Sequence, residues 1–184
     1  MEKRDSVINL KEERKMQTYT SKATSINQKK LPAVYGKAIL SAPLVMDYGC
    51  GKFTDHIKEH INKQHRTYLP FDPYNQPDDR NAATATIVCH AMSRHLPVDV
   101  ICSNVLNVID DLDTIQEIAD HIETITTISG GTGYITVYEG NRSGIGKQTG
   151  PDQYQRNEPL REYLKYFSNA TIKNGMIVVS AKSC

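Results

Sequence analysis

The chain has 184 residues, of which 39% are apolar and 23% charged, and its formal net charge is +1. That length fits one domain with a real core and leaves no room for a second. The near-neutral charge excludes a global pull toward nucleic acid, and no run approaches the roughly 20 apolar residues of a membrane helix, so no membrane partner is expected.

Residues 1–20 read as a charged lead-in, and residues 21–184 as a single domain. The first residues, MEKRDSVINLKEERKMQ, carry charge but no apolar h-region, which speaks against a secretory signal and for the cytoplasm. Residues 1–37 hold nine Lys or Arg against four acids, an excess that fits a solvated tail or a phosphate contact. A helix is expected from Ser25 to Leu40, interrupted by Pro32. Leu44–Tyr48 reads as a buried strand that halts at glycines. A helical period follows over Thr54–Ile61, then a second strand over Arg66–Phe71, ending at Asp72-Pro73. Residues 75–81 (NQPDDRN) read as a polar loop, Ala85–Cys89 as a third strand and Val98–Ser103 as a fourth.

From Leu112 to Ile128 a helix carries Ile115, Ile118, Ile122 and Ile125 on one side. Ser129-Gly130-Gly131 ends it before a fifth strand, Tyr134–Tyr138. The polar, glycine-rich stretch 140–157 is too long for a mere connector and suits a lid. Pro159–Phe167 can form a helix. Asn174-Gly175 between two strand-like runs predicts a hairpin, because both turn positions need positive φ. Strands alternating with helices over short connections imply a parallel sheet covered on both faces. The four cysteines (Cys50, Cys89, Cys102, Cys184) lack metal-like or disulfide-like spacing and suit a reducing compartment.

The chemistry concentrates at the first turn, Asp47-Tyr48-Gly49-Cys50-Gly51-Lys52. Glycines there let backbone pass close to a ligand, and the following helix N-terminus favours polar groups. A dinucleotide fingerprint, G-x-G-x-x-G, lacks its third glycine here, since Thr54 stands in that place. Asp72 closes the second strand 21 positions after Gly51, where a carboxylate can accept both hydroxyls of a ribose; an ordinary Asp-Pro turn is the other reading.

Together these residues and the terminal hairpin resemble the class I S-adenosylmethionine (SAM)-dependent methyltransferases. The resemblance implies a three-layer α/β, Rossmann-like fold with a mostly parallel seven-stranded sheet, its last strand antiparallel beside the fifth. It implies that Asp47, Gly49, Cys50 and Gly51 line the methionine part of SAM. Asp72 and Pro73 would meet the ribose, His90 (with Cys89 and Ala91) would flank adenine, and Ser103 would stand beside the methyl donor. The product would be S-adenosylhomocysteine. The segments Ser103–Ile109 and Lys147–Asn157 are similar to small methyltransferase-like proteins encoded by phages and near DNA-modification loci. The (Asp/Asn)-Pro-Pro-(Tyr/Phe) motif of amino-methylating DNA enzymes is missing, as is the Pro-Cys nucleophile of the cytosine-C5 enzymes.

On the acceptor side, Asn104 and Asn107 can orient a substrate through amide hydrogen bonds or simply cap the next helix. Glu139 can act as a base or a clamp, and Tyr138 ends the fifth strand at the ligand edge. Lys147 and Arg156 suit an anionic acceptor, and Lys22 and Lys30 suit closure over the same edge. His56, His60 and His65 read as solvated. His90 and His95 lack further ligands at useful spacing, so no metal is expected. The acceptor is a nucleic acid, a nucleotide or a small molecule, with a protein partner or homodimer left open. A SAM-binding protein without transfer is the competing reading, and a Rossmann-like oxidoreductase the third.

Overall fold

The computed structural model describes residues 30–150 and 153–180. The lead-in 1–20, Lys22 and the start of the helix expected from Ser25 lie outside the described residues. Six strands form the main sheet: β1 (Leu44–Tyr48), β2 (Thr67–Phe71), β3 (Val98–Ser103), β4 (Thr132–Thr136), β7 (Ala170–Lys173) and β8 (Met176–Ser180). A separate two-stranded ribbon pairs β5 (Lys147–Gly150) with β6 (Gln153–Gln155). The helices are α1 (Asp55–Asn62), α2 (Asp78–Ser93) and α3 (Leu112–Ser129).

The order across the sheet is β2-β1-β3-β4-β8-β7. β2, β1, β3 and β4 run parallel, and β8, the last strand, enters antiparallel between β4 and β7. Asn174 (φ 52°) and Gly175 (φ 70°) both take the left-handed conformation in the turn that joins β7 to β8, as the sequence predicts.

Alternate strand residues divide the core into two clusters on opposite faces. Met46, Val100 and Ile135 pack with Val88 and Ala91 of α2 and with the isoleucine stripe of α3. Val45, Ile101 and Tyr134 pack with Ile57 and Ile61 of α1 and with Val34 and Tyr35. The three-layer α/β arrangement is therefore present. Asp111, not Asn104 or Asn107, caps α3, accepting from the Thr114 amide at 2.9 Å. Among the described residues no helix is long and apolar enough to cross a membrane.

Four expectations need correction. Ala85–Cys89 is not a strand but the middle of α2, so the sheet has six strands rather than seven. Thr84, Val88 and Ala91 are its buried residues, spaced four and three apart on one helical face. Between Lys30 and Leu40 only a short 3-10 turn forms (Ala33–Gly36), and Pro32 starts it rather than interrupting a helix. The expected helix over Pro159–Phe167 is likewise a 3-10 turn, Leu160–Tyr166. The 140–157 stretch is no plain loop, since it contains the β5–β6 ribbon.

At the N-terminal edge of the sheet a buried carboxylate ties the chain together. Asp99 of β3, fully buried, accepts from the amides of Ser41 (2.7 Å), Ala42 (2.9 Å) and Thr132 (2.9 Å). It fastens the entry into β1 to the start of β4.

Candidate functional site

β1 has β2 on one side and β3 on the other, while α1 and α2 leave on opposite faces. The strand order therefore reverses between β1 and β3, which is where open α/β sheets place ligands, beyond the carboxyl ends of the strands. The glycine turn closes β1 at this point, with Gly49 at φ 77° and Gly51 at φ 71°. Val105, in the loop after β3, lies over it: a Cβ on Gly49 would stand 2.4 Å from Val105 Cγ2. Glycine is needed here for its φ and for this close approach.

The amides of the turn are already engaged. Gly49 N and Cys50 N donate to Phe71 O (2.7 and 3.3 Å), and Gly51 N donates to Asp72 Oδ2 (2.9 Å). Gln76 Nε2 donates back to Gly51 O at 2.6 Å and is itself held by Arg80 Nη1 (2.8 Å). Asp72 also accepts from the Tyr74 and Asn75 amides (2.9 Å each), and Asn75 Nδ2 bridges both its oxygens at 3.2 Å. Asn81 brackets the Asp72 backbone from α2. Asp72 is thus first a splint for the β2–α2 connection. A ribose would have to replace Asn75 Nδ2, a side-chain donor that can rotate away. Pro73 is exposed on the outside of this turn.

Asp47 lies beneath the glycine turn and is only 3% exposed. Its Oδ2 accepts from the Tyr68 hydroxyl at 2.8 Å. The buried Tyr35 hydroxyl interacts with the same carboxylate without completing a hydrogen bond. Burial pushes the Asp47 carboxyl up to about 6, an effect the two tyrosines oppose and the nearby Asp72 reinforces. Burial raises the Cys50 thiol as well, with Asp47 adding to it, so Cys50 is a protonated lining residue rather than a nucleophile.

The acceptor side divides into committed and uncommitted residues. Asn107 is buried, donates to Gln155 Oε1 (3.2 Å) and accepts from the Tyr138 amide (3.3 Å). Its own carbonyl accepts from the Arg156 amide at 2.9 Å. Arg156 is buried too, paired with Glu158 at 3.0 Å and donating to the carbonyls of Ile109 and Asp110 (3.2 and 3.3 Å). Glu139 accepts from the Leu160 amide (2.6 Å) and pairs with Arg142; the Leu160 amide is the main cause that keeps its carboxyl below the usual range. Asn107 and Arg156 fasten the 140–158 segment to the loop after β3, and Glu139 ties Arg142 to the Leu160 amide beyond it, so the expected lid is anchored at its base. Ser103 bonds Thr136 Oγ1 (3.1 Å). Asn104 is exposed, in the left-handed region at φ 58°, at the switch point itself. Tyr138 is 63% exposed, its amide on Asn107 Oδ1, and Lys147 is exposed on the ribbon.

Nearly all the residues singled out in the sequence thus gather at one edge, but His90 does not. It occupies the last turn of α2, which begins at the carboxyl end of β2 and runs back to the start of β3. His90 is exposed at the opposite edge, so it cannot flank an adenine at the glycine turn. The strand that would have carried it to the site is the one that α2 replaces. Lys30 is exposed. His60 is half-buried against the Tyr35 ring rather than freely solvated. A shallow charged hollow on the outer face of α1 (Asp55, Lys58, Glu59, Asn62, Lys63) carries the solvated Glu59–Lys63 pair and no chemistry.

Tyr35, Tyr68, Gln76, Asn81 and Val105 were missed in the sequence. Only Tyr68 left a signal, since it shares a strand face with Pro70 and Asp72 at period two. No protein-family model matches the chain, and no curated protein matches it either.

Proposed function

We propose that the chain binds SAM at the Asp47–Lys52 turn and is a small, cytoplasmic class I SAM-dependent methyltransferase. The observation that carries this reading is the electrostatics of the turn. A pyrophosphate needs free amides and a positive field, yet the Gly49 and Cys50 amides are spent on the end of β2, the Gly51 amide on Asp72, and two carboxylates flank the turn. A ligand with a cationic centre suits this place; a dinucleotide does not. The antiparallel last strand beside β4 is in keeping with the methyltransferase resemblance, in a sheet one strand shorter. Transfer from a sulfonium is an in-line displacement in which positioning supplies most of the catalysis. Asn104, Ser103, Tyr138 and Lys147 are the side chains available to position an acceptor, be it a nucleic acid, a nucleotide or a small molecule.

Isothermal titration with SAM and with NAD tests the ligand: SAM should bind and NAD should not, and the reverse result sinks the proposal. A second reading, a SAM-binding protein without transfer, is favoured by the commitment of Asn107, Glu139 and Arg156 to scaffolding. Methyl-labelled SAM with DNA, RNA and cell extract separates the two. Label in any fraction supports the enzyme; binding with no label anywhere supports the second reading.

A further inference from the structure

Two buried phenols stand without a hydrogen-bond partner among the described residues. Tyr163 is fully buried and Tyr166 nearly so, and neither hydroxyl is bonded. They are three positions apart in the 3-10 turn Leu160–Tyr166. At three residues per turn such positions eclipse, so both rings leave the same face. An unpaired buried hydroxyl costs stability, and phenylalanine would fill the same space without that cost. The chain does use phenylalanine at the next position, Phe167, in the same cluster. Beside the phenols lies the Arg156–Glu158 pair, both side chains largely buried. Burial holds the Tyr163 phenol up, with the Glu158 charge adding to it and Arg156 opposing it, so it stays a donor. Tyr166 lies within electrostatic reach of Arg156 as well.

Arg156 grips the Glu158 carboxylate as a fork, Nε on Oε2 at 3.2 Å and Nη2 on Oε1 at 3.0 Å. Its Nη1 stays on the carbonyls of Ile109 and Asp110 and its amide on Asn107. The guanidinium is therefore held in place independently of Glu158, whose side chain bonds only to Arg156 among the described residues. A planar carboxylate fills the fork and leaves both phenols unbonded; a tetrahedral oxyanion there has further oxygens to offer them. Asp110 and Asp111 on the neighbouring loop are exposed, so solvent screens their charge from the fork. We propose that Arg156, Tyr163 and Tyr166 form a site for a tetrahedral oxyanion, a phosphate free or carried by a nucleotide, in which Glu158 is the built-in stand-in. Binding is an exchange: phosphate takes the fork, its remaining oxygens accept from the two hydroxyls, and Glu158 swings into solvent. Arg156 keeps its backbone bonds throughout and never leaves the scaffold. Resting on the transferase reading above, the site makes the methyl acceptor a phosphate-bearing molecule; the oxyanion site itself stands apart from that reading.

The test titrates inorganic phosphate, a nucleoside 5′-monophosphate and the parent nucleoside into the full chain at constant ionic strength. Wild type is compared with Glu158→Gln and with the double variant Tyr163→Phe, Tyr166→Phe. Wild type should bind phosphate in the millimolar range or more tightly. Glu158→Gln should bind it about tenfold more tightly, because a tethered competing carboxylate is gone. The double variant should bind about tenfold more weakly, through two lost bonds to a charged group, with no fall in melting temperature. A monophosphate that binds more tightly than phosphate, with no binding of the nucleoside, assigns the group to a nucleotide; equal binding assigns it to the free ion. Absence of phosphate and monophosphate binding in the wild type overturns the proposal. Equal affinity in the double variant overturns it too, as does a folded Glu158→Gln that binds no more tightly. If Glu158→Gln does not fold, the wild type and the double variant decide alone. None of these readings touches SAM, so the transferase proposal survives either result.

Discussion

The two ends of the parallel sheet each hold a buried aspartate on a central strand, and they are built to opposite rules. At the N-terminal edge Asp99 is saturated by three amides from two separate segments, so its charge is spent on joining the chain. At the C-terminal edge Asp47, equally hidden, takes no amide: the Tyr68 hydroxyl donates to it and the Tyr35 hydroxyl interacts with it. Burial alone does not tell a structural carboxylate from a functional one. The count of donors does, since a buried group short of partners costs stability and persists only where that cost serves something else.

Removing each aspartate should therefore move stability in opposite directions. Asp99→Ala strands three amides at the base of the sheet and should cost about 3–5 kcal/mol in urea denaturation; a loss under about 1 kcal/mol would erase the contrast between the two edges. Asp47→Asn should instead stabilise the protein. Its folded carboxyl titrates at about 6 against an ordinary value of 3.8. The stability tied to its proton is thus complete below about pH 4 and lost as pH rises toward 6, amounting to about 3 kcal/mol by pH 7. Denaturation at pH 7.5 and pH 4 should show the variant ahead at the first and level at the second. A variant that is weaker at both would place Asp47 in the same class as Asp99.

The glycine turn above Asp47 offers a finer probe. Gly49→Ala forces a side chain into the left-handed region and against Val105, at a cost of about 2 kcal/mol. Adding Val105→Ala should return part of it, the steric part; no recovery would mean that φ alone sets the requirement. The smallest effect is expected at Asn104, whose left-handed backbone glycine adopts freely, so Asn104→Gly should shift stability by less than about 1 kcal/mol. Its value lies in the assay of methyl transfer. Full transfer with the amide gone would strike Asn104 from the acceptor side.

What the sequence revealed follows from how local each signal is. β1, β3, α3 and the terminal hairpin announce themselves through runs, an isoleucine stripe and an Asn-Gly pair, all contained within one element. α2 did not, because Ala85–Cys89 is rich in residues that suit a strand, and the cue that outweighs them sits upstream. Pro77 followed by Asp78 and Asp79 is a helix start, hidden inside what reads as a polar loop. The glycine turn at the carboxyl end of β1 and the aspartate that braces it were legible because Asp47, Gly49, Gly51 and Asp72 have types and spacing that carry meaning. Asn107, Glu139 and Arg156 have suitable types too, but their duties depend on partners 21 to 48 positions away. No periodicity reports such partners, and the fold alone assigns those side chains to the scaffold.

The Asn107 bracket also fixes when the cost of order is met. A polar segment as long as 140–158 would ordinarily surrender its conformational entropy on contact with a ligand, weakening and slowing the encounter. Here hydrogen bonds to Gln155, Tyr138 and Arg156 draw that loss into folding itself. The part of this edge that Gln155, Arg156 and Tyr138 build around Asn107 is therefore a wall already standing before any encounter.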